Sequence, residues 1–114
     1  MSKRILFIFI FLSGCHSAEV TRFSSHSYPP TSTVEVFTDA LSIKRDFVEI
    51  GYVEASGGIT ITKQQLLDDM IEKAKIEGAN ALVKVEFWDT TEYNYAVKGD
   101  VHKPRAKATM IRYK

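Results

Sequence analysis

Thr62-Lys-Gln-Gln-Leu-Leu-Asp-Asp-Met-Ile-Glu-Lys-Ala-Lys-Ile-Glu-Gly78 holds the start, the face and the end of one helix. Thr62 and Gln65 have the spacing of a capping box, in which each side chain satisfies the other residue's backbone N–H at a helix start. Ile61 and Leu66 stand at the positions of a hydrophobic staple. Leu66, Leu67, Met70, Ile71 and Ala74 recur at i, i+3, i+4 and form one apolar stripe. Asp68, Asp69, Glu72, Lys73 and Lys75 take the opposite side, with Asp69 and Lys73 spaced for an ion pair one turn apart. Gly78 stands where a left-handed residue ends a helix. The pattern predicts one helix over residues 63–77 with a single face to bury.

Outward from the helix, the chain reads as strands. Residues 81–88 alternate, with Ala81, Val83, Val85 and Phe87 on the expected core face and Leu82, Lys84, Glu86 and Trp88 on the other. Upstream, Phe47–Ala55 changes apolar phase at Gly51, from Val48 and Ile50 to Val53 and Ala55. One extra residue in a β-bulge makes that change, and glycine tolerates the geometry. Residues 33–38 form a short β-branched strand. Residues 105–113 form the last one, with Ala106, Ala108 and Met110 facing in; the two alanines let a helix approach closely. These elements predict an α+β fold: a single two-layer domain over residues 33–114, one main helix on a sheet of about four strands, in the order β-β-α-β-β.

The 114 residues and net charge of +1 fit one small domain. They exclude the strongly basic profile of a nucleic-acid binder and the low hydrophobicity of a disordered chain. The near-neutral total conceals an asymmetry. Residues 98–114 hold Lys98, Lys103, Arg105, Lys107, Arg112 and Lys114 against Asp100, whereas residues 15–97 hold seven cations and thirteen acids. The single cysteine, Cys15, excludes an internal disulfide framework and a cysteine-based zinc site.

The N-terminus places that cysteine in context. Met1-Ser-Lys-Arg4 is positive, Ile5–Leu12 is an unbroken apolar run, and Leu12-Ser13-Gly14-Cys15 follows. The run is far short of the ~20 residues that span a bilayer, and the arrangement is that of an export signal. Its last four residues resemble the lipobox of bacterial lipoproteins. That resemblance implies a signal peptide over residues 1–14, cleavage between Gly14 and Cys15, and acylation of Cys15. The protein would then meet a membrane through its lipid, with no cofactor besides that covalent lipid. His16 rather than Asp after the cysteine implies the outer membrane, with the domain facing the periplasm. Residues 15–32, rich in Ser, Thr and Pro, read as a lipidated N-terminus and flexible leash, with an r.m.s. reach of roughly 20–25 Å. His16 and His26 on that leash read as solvated bystanders.

Phe47 to Ala55 (FVEIGYVEA), Glu77 to Val83 (EGANALV) and a closing strand through Ala106-Lys-Ala108 occur in one order. This order resembles the YbjQ-like fold, sometimes labelled heavy-metal-binding, and the related RcsF-type outer-membrane stress-sensing lipoproteins. The resemblance covers residues 34–113 and implies a sensing or assembly role in the envelope, with rings of copies through sheet edges as a further option. Sensors of that type carry disulfides in this domain, whereas this chain has no cysteine after Cys15. Soft-metal binding needs several thiol or imidazole ligands in one place, and the domain carries His102 alone.

Candidate contact residues come from aromatics and cations. If Asp89–Glu92 forms a turn, Trp88 and Tyr93 become cross-strand partners, with Tyr95 diagonal on the same face. Trp and Tyr are enriched at binding hot spots. Lys103, Arg105 and Lys107 alternate along the last strand and suit an acidic partner or anionic headgroups. Ser56-Gly57-Gly58 precedes the helix but lacks the Lys and Ser/Thr of a phosphate loop, so it reads as a turn. No nucleophile, base and orienting group assemble, and no catalytic residue is assigned. The sequence therefore points to a non-enzymatic envelope lipoprotein whose domain contacts another protein. The alternative is a binding module for a small envelope ligand, a glycan or lipid headgroup.

Overall fold

The computed structural model describes residues 16–114. The expected signal peptide over residues 1–14, its expected cleavage after Gly14 and the expected lipidation of Cys15 lie outside the described residues. Five strands form one mixed sheet: β1 (His16–Arg22), β2 (Glu35–Val36), β3 (Phe47–Gly57), β4 (Ala81–Asn94) and β5 (Gly99–Tyr113). Their spatial order is β1-β3-β5-β4-β2, antiparallel except for the β2–β4 pair. One helix, α1 (Lys63–Glu77), packs on the sheet, and a single 3-10 turn spans Ala40–Ser42.

The expected four-stranded β-β-α-β-β domain is thus corrected to a mostly β fold with five strands. The fifth strand comes from residues expected to be a leash. In β1, Ala18 and Val20 face the helix side, and Ser17, Glu19 and Thr21 alternate with them. The ladder with β3 supplies the hydrogen bonds that a free segment would give to water. The helix then holds the strand at both ends. The His16 imidazole contacts the Asp69 carboxylate, and Arg22 makes a two-point contact with Glu77, Nε to Oε2 at 2.6 Å and Nη2 to Oε1 at 3.0 Å. Glu77 raises the Arg22 guanidinium above its ordinary pKa by accepting its hydrogen bond. Asp69 therefore faces His16, not the expected Lys73, and His16 is no bystander.

The segment after β1 also packs. Thr31 N–H donates to the Lys75 carbonyl at 2.9 Å, and the Thr31 hydroxyl donates to the Ala79 carbonyl. Tyr28 lies beneath the Arg112 guanidinium, 5.1 Å from ring centroid to Cζ. The turn that ends α1 explains why this segment can close over it. Gly78 adopts φ 83°, and a Cβ there would stand 2.6 Å from both the Pro29 carbonyl oxygen and Tyr28 Cβ. Arg112 Nη1 donates to the Gly78 carbonyl at 2.7 Å, satisfying a free acceptor at the helix end.

The helix itself follows its sequence. Thr62 and Gln65 form the capping box, and Leu66, Met70 and Ala74 are fully buried. They meet Val53, Ala55, Leu82, Ala106, Ala108 and Met110 in the main core. A second, smaller core lies on the opposite side of the sheet, where Ala81, Val83 and Ile111 are covered by Phe37, Ile43, Phe47 and Tyr113. Burial there pushes the Tyr113 hydroxyl above its ordinary pKa, with Glu35 adding to the shift.

Two bulges set the faces. Between Glu49 and Gly51 the β3–β5 register skips one residue, at the glycine where the phase change predicts it. The other lies between Val83 and Glu86, where Lys84 adopts φ 54°. It overturns the expected orientation of β4. Leu82, not Ala81 and Val83, faces the helix, and Val85 joins it after the bulge.

Candidate interaction surface

The β4–β5 hairpin is longer than the rest of the sheet. The β3 ladder on β5 ends at Ser56 opposite Arg105, while the β4 ladder continues to Asn94 opposite Gly99. Gly99–Pro104 and the β4 residues paired with them therefore project as a two-stranded arm of roughly 20 Å. Its turn is Tyr95–Lys98, not Asp89–Glu92. Asn94 decides that placement. Its Oδ1 accepts from the N–H of Ala96 at 2.8 Å and of Val97 at 3.3 Å, a side-chain-built turn, and Lys98 closes it at φ 54°.

The new turn position re-sorts the six expected contact residues. From Glu86 to Asn94 the register is unbroken, so alternate residues share a face. Trp88 is opposite Arg105, Glu86 opposite Lys107, and Thr90 opposite Lys103. These residues, with Ser56, Glu54 and Tyr52 of β3, make up the face of the sheet away from the helix. The expected pairing of Trp88 with Tyr93 does not form, because both lie on β4, five positions apart and so on opposite faces. Tyr93 stands opposite Asp100, and its ring meets that of Tyr95 edge-on at 4.9 Å. The structure therefore brings Trp88, Lys103, Arg105 and Lys107 together and sets Tyr93 and Tyr95 apart at the tip.

On the open face, Lys107 Nζ lies 4.3 Å from the Tyr52 ring centroid, and Lys103 pairs with Glu92 at 2.9 Å. Lys103 holds the Glu92 carboxyl below its usual range, first by its hydrogen bond and then by its charge. Trp88 is 40% exposed at the middle of this row of cations. Among the described residues, no carboxylate lies within ion-pair distance of Arg105. The arrangement offers a flat aromatic anchor flanked by guanidinium and ammonium groups. Glu54 and Glu86 stand opposite Lys107 and Glu92 pairs with Lys103, so Trp88 and Arg105 are the groups this face offers to an apolar and acidic patch of a partner.

Where the arm leaves the sheet there is a notch of about 580 Å³, lined by His16, Ser17, Ser56, Gly57, Gly58, Glu92, Lys103 and Arg105. Gly57 and Gly58 belong to the turn into α1, where Ile61 N–H donates to the Gly58 carbonyl at 3.1 Å. Ile61 packs so near Gly57 that a Cβ there would stand 2.6 Å from Ile61 Cβ. The glycines thus serve the strand-to-helix turn. One wall of the notch is β1, a strand whose sequence signal is weak. The alternation Ala18, Val20 against Ser17, Glu19, Thr21 was the available signal.

Among the described residues there is no cluster of three or more His, Cys, Asp or Glu side chains placed to hold a metal. No helix among them is long and apolar enough to cross a membrane. No protein-family model, no curated protein and no solved structure matches the chain.

Proposed function

We propose that this protein is a lipid-anchored lipoprotein of the bacterial outer membrane, with its domain in the periplasm and a binding role without chemistry of its own. The observation that carries the anchor is Leu12-Ser13-Gly14-Cys15 closing a short apolar run behind Lys3 and Arg4. Two or three acyl chains on one cysteine, each worth about 0.8 kcal/mol per buried CH₂, hold a protein on a bilayer where a single chain does not. The described fold begins one residue later, at His16. In this reading the domain sits close to the lipid surface, not at the end of a leash.

The partner is an envelope protein met by the open sheet face. Trp88, Arg105, Lys107 and the Tyr52 ring supply an aromatic centre with cations around it, the residue types that dominate interface energies. The resemblance to envelope-sensing lipoproteins adds a sensing or assembly role to this reading. A photo-crosslinking residue at position 88 tests it in intact cells. A reproducible adduct that Lys107→Glu weakens supports protein binding. Absence of any protein adduct overturns it. A shift of Trp88 fluorescence on titration with glycan or lipid headgroups would favour the small-ligand alternative.

A further inference from the structure

Strand directions place two features at one end of the molecule. β1 is antiparallel to β3 and β3 is antiparallel to β5, so β1 and β5 run the same way. β5 begins at the tip of the arm, and β1 begins at His16, at the end of the sheet from which the arm projects. Cys15 is joined to His16 by one peptide bond. The start of β1, the residue after the cysteine proposed to carry lipid, therefore lies at the same end as the arm, with the notch between the two.

The tip gathers exposed aromatic and apolar side chains around one turn. Tyr95 is 85% exposed, Val97 62% and Tyr93 55%, and the two tyrosine rings form one aromatic knob. Lys98 lies beside them. An exposed turn of two tyrosines, a valine and a lysine has the amphipathic make-up of residues that sit at the level of lipid headgroups, ring inward and hydroxyl in water. Glu92 is balanced by Lys103, and the charges of Lys98 and Asp100 cancel, so net charge near the tip is small. Aromatic and apolar groups, more than charge, must carry any membrane contact there.

We infer that the tip of the β4–β5 arm is a second membrane contact, seating Tyr93, Tyr95 and Val97 in the headgroup region of the bilayer that holds the lipid of Cys15. The inference rests on the anchor reading for its membrane. The notch then faces the headgroups, with Lys103 and Arg105 toward their phosphates. Two separated contacts fix the tilt of the domain, which a lipid alone leaves free, and so fix the direction in which the Trp88 face looks.

A fluorescent reporter tests this. The full chain carries Tyr95→Trp in a Trp88→Phe background and is reconstituted in vesicles of phosphatidylethanolamine and phosphatidylglycerol with brominated acyl chains. Leu41→Trp in the same background is the control: Leu41 is 89% exposed in the 3-10 turn at the opposite end of the sheet. The expected result is a blue-shifted, quenched reporter at position 95 that persists at high salt, and an unquenched one at position 41. A reporter at position 95 as unquenched as the control overturns the proposal, and Val97→Trp repeats the reading should Tyr95→Trp disturb the turn. The mass of the N-terminal peptide reads acylation separately. If the Cys15 thiol proves free, the anchor reading fails, and the same chain is coupled through that thiol to a maleimide-headgroup lipid. Quenching is then read independently.

Discussion

The base and the arm of the β4–β5 hairpin share one ladder but stand in opposite surroundings. At the base, Leu82, Val83, Met110 and Ile111 are all fully buried, with α1 over one side and Phe37, Phe47 and Tyr113 over the other. Along the arm, from Asp89 to Asn94 and from Gly99 to Pro104, Val101 alone is buried. The base is fixed by packing on both faces, whereas the arm is held by backbone hydrogen bonds, an ion pair and its turn. Stability therefore resides in the base, and the exposed aromatics and cations of the arm are free to meet other molecules. A two-stranded ribbon without a packed face is marginal by itself, so the arm depends on the base for its shape.

Substitutions can break that contrast. Leu82→Ala removes a fully buried side chain from between β4 and α1, and the expected loss is about 2–5 kcal/mol in urea unfolding. Tyr95→Ser at the tip is expected to change stability by no more than about 0.5 kcal/mol. Equal effects would show that the arm is structural. Gly78→Ala tests the helix end that the segment around Tyr28 covers. A left-handed non-glycine residue costs roughly 1–2 kcal/mol, and the new Cβ collides with Pro29 and Tyr28 besides. The expected loss exceeds that backbone figure, and a smaller one would mean that residues 28–31 do not pack on α1.

The smallest effect concerns acid. Lys103 depresses the pKa of Glu92, so any stabilisation from the pair is full above the titration of an unfolded glutamate and fades as pH falls through the folded value. The pair is solvent-exposed, so the change should be slight. Glu92→Gln should abolish that slight acid sensitivity and lower the unfolding midpoint at neutral pH only slightly. A large change in the midpoint would place the arm within the cooperative fold.

How much of this the sequence discloses depends on where the deciding forces lie. The helix is legible because its signals are local. The capping box, the apolar stripe and Gly78 all sit within one stretch, and α1 runs over the expected residues. The bulge at Gly51 is legible for the same reason, as a phase change within one strand. β1 is not, because its two small apolar residues become a strand only when the β3 edge and two helix side chains receive them. The β4 face is misjudged because Lys84 takes a left-handed conformation that no composition signal marks. Of the six expected contact residues, the alternation of cations on β5 survives as one face with Trp88. Tyr93 and Tyr95 move to the tip because Asn94, not the Asp89 region, builds the turn.

The correction at β1 bears on function as much as on fold. A leash would let the domain rise well clear of a membrane, whereas a strand beginning at His16 ties domain and Cys15 together. Labelling cells with radioactive palmitate, followed by membrane fractionation of the wild type and of Cys15→Ala, tests the anchor most directly. The wild type is expected labelled in the outer-membrane fraction, and Cys15→Ala as an unlabelled precursor lost from it. Equal labelling and equal fractionation of the two would contradict the anchor.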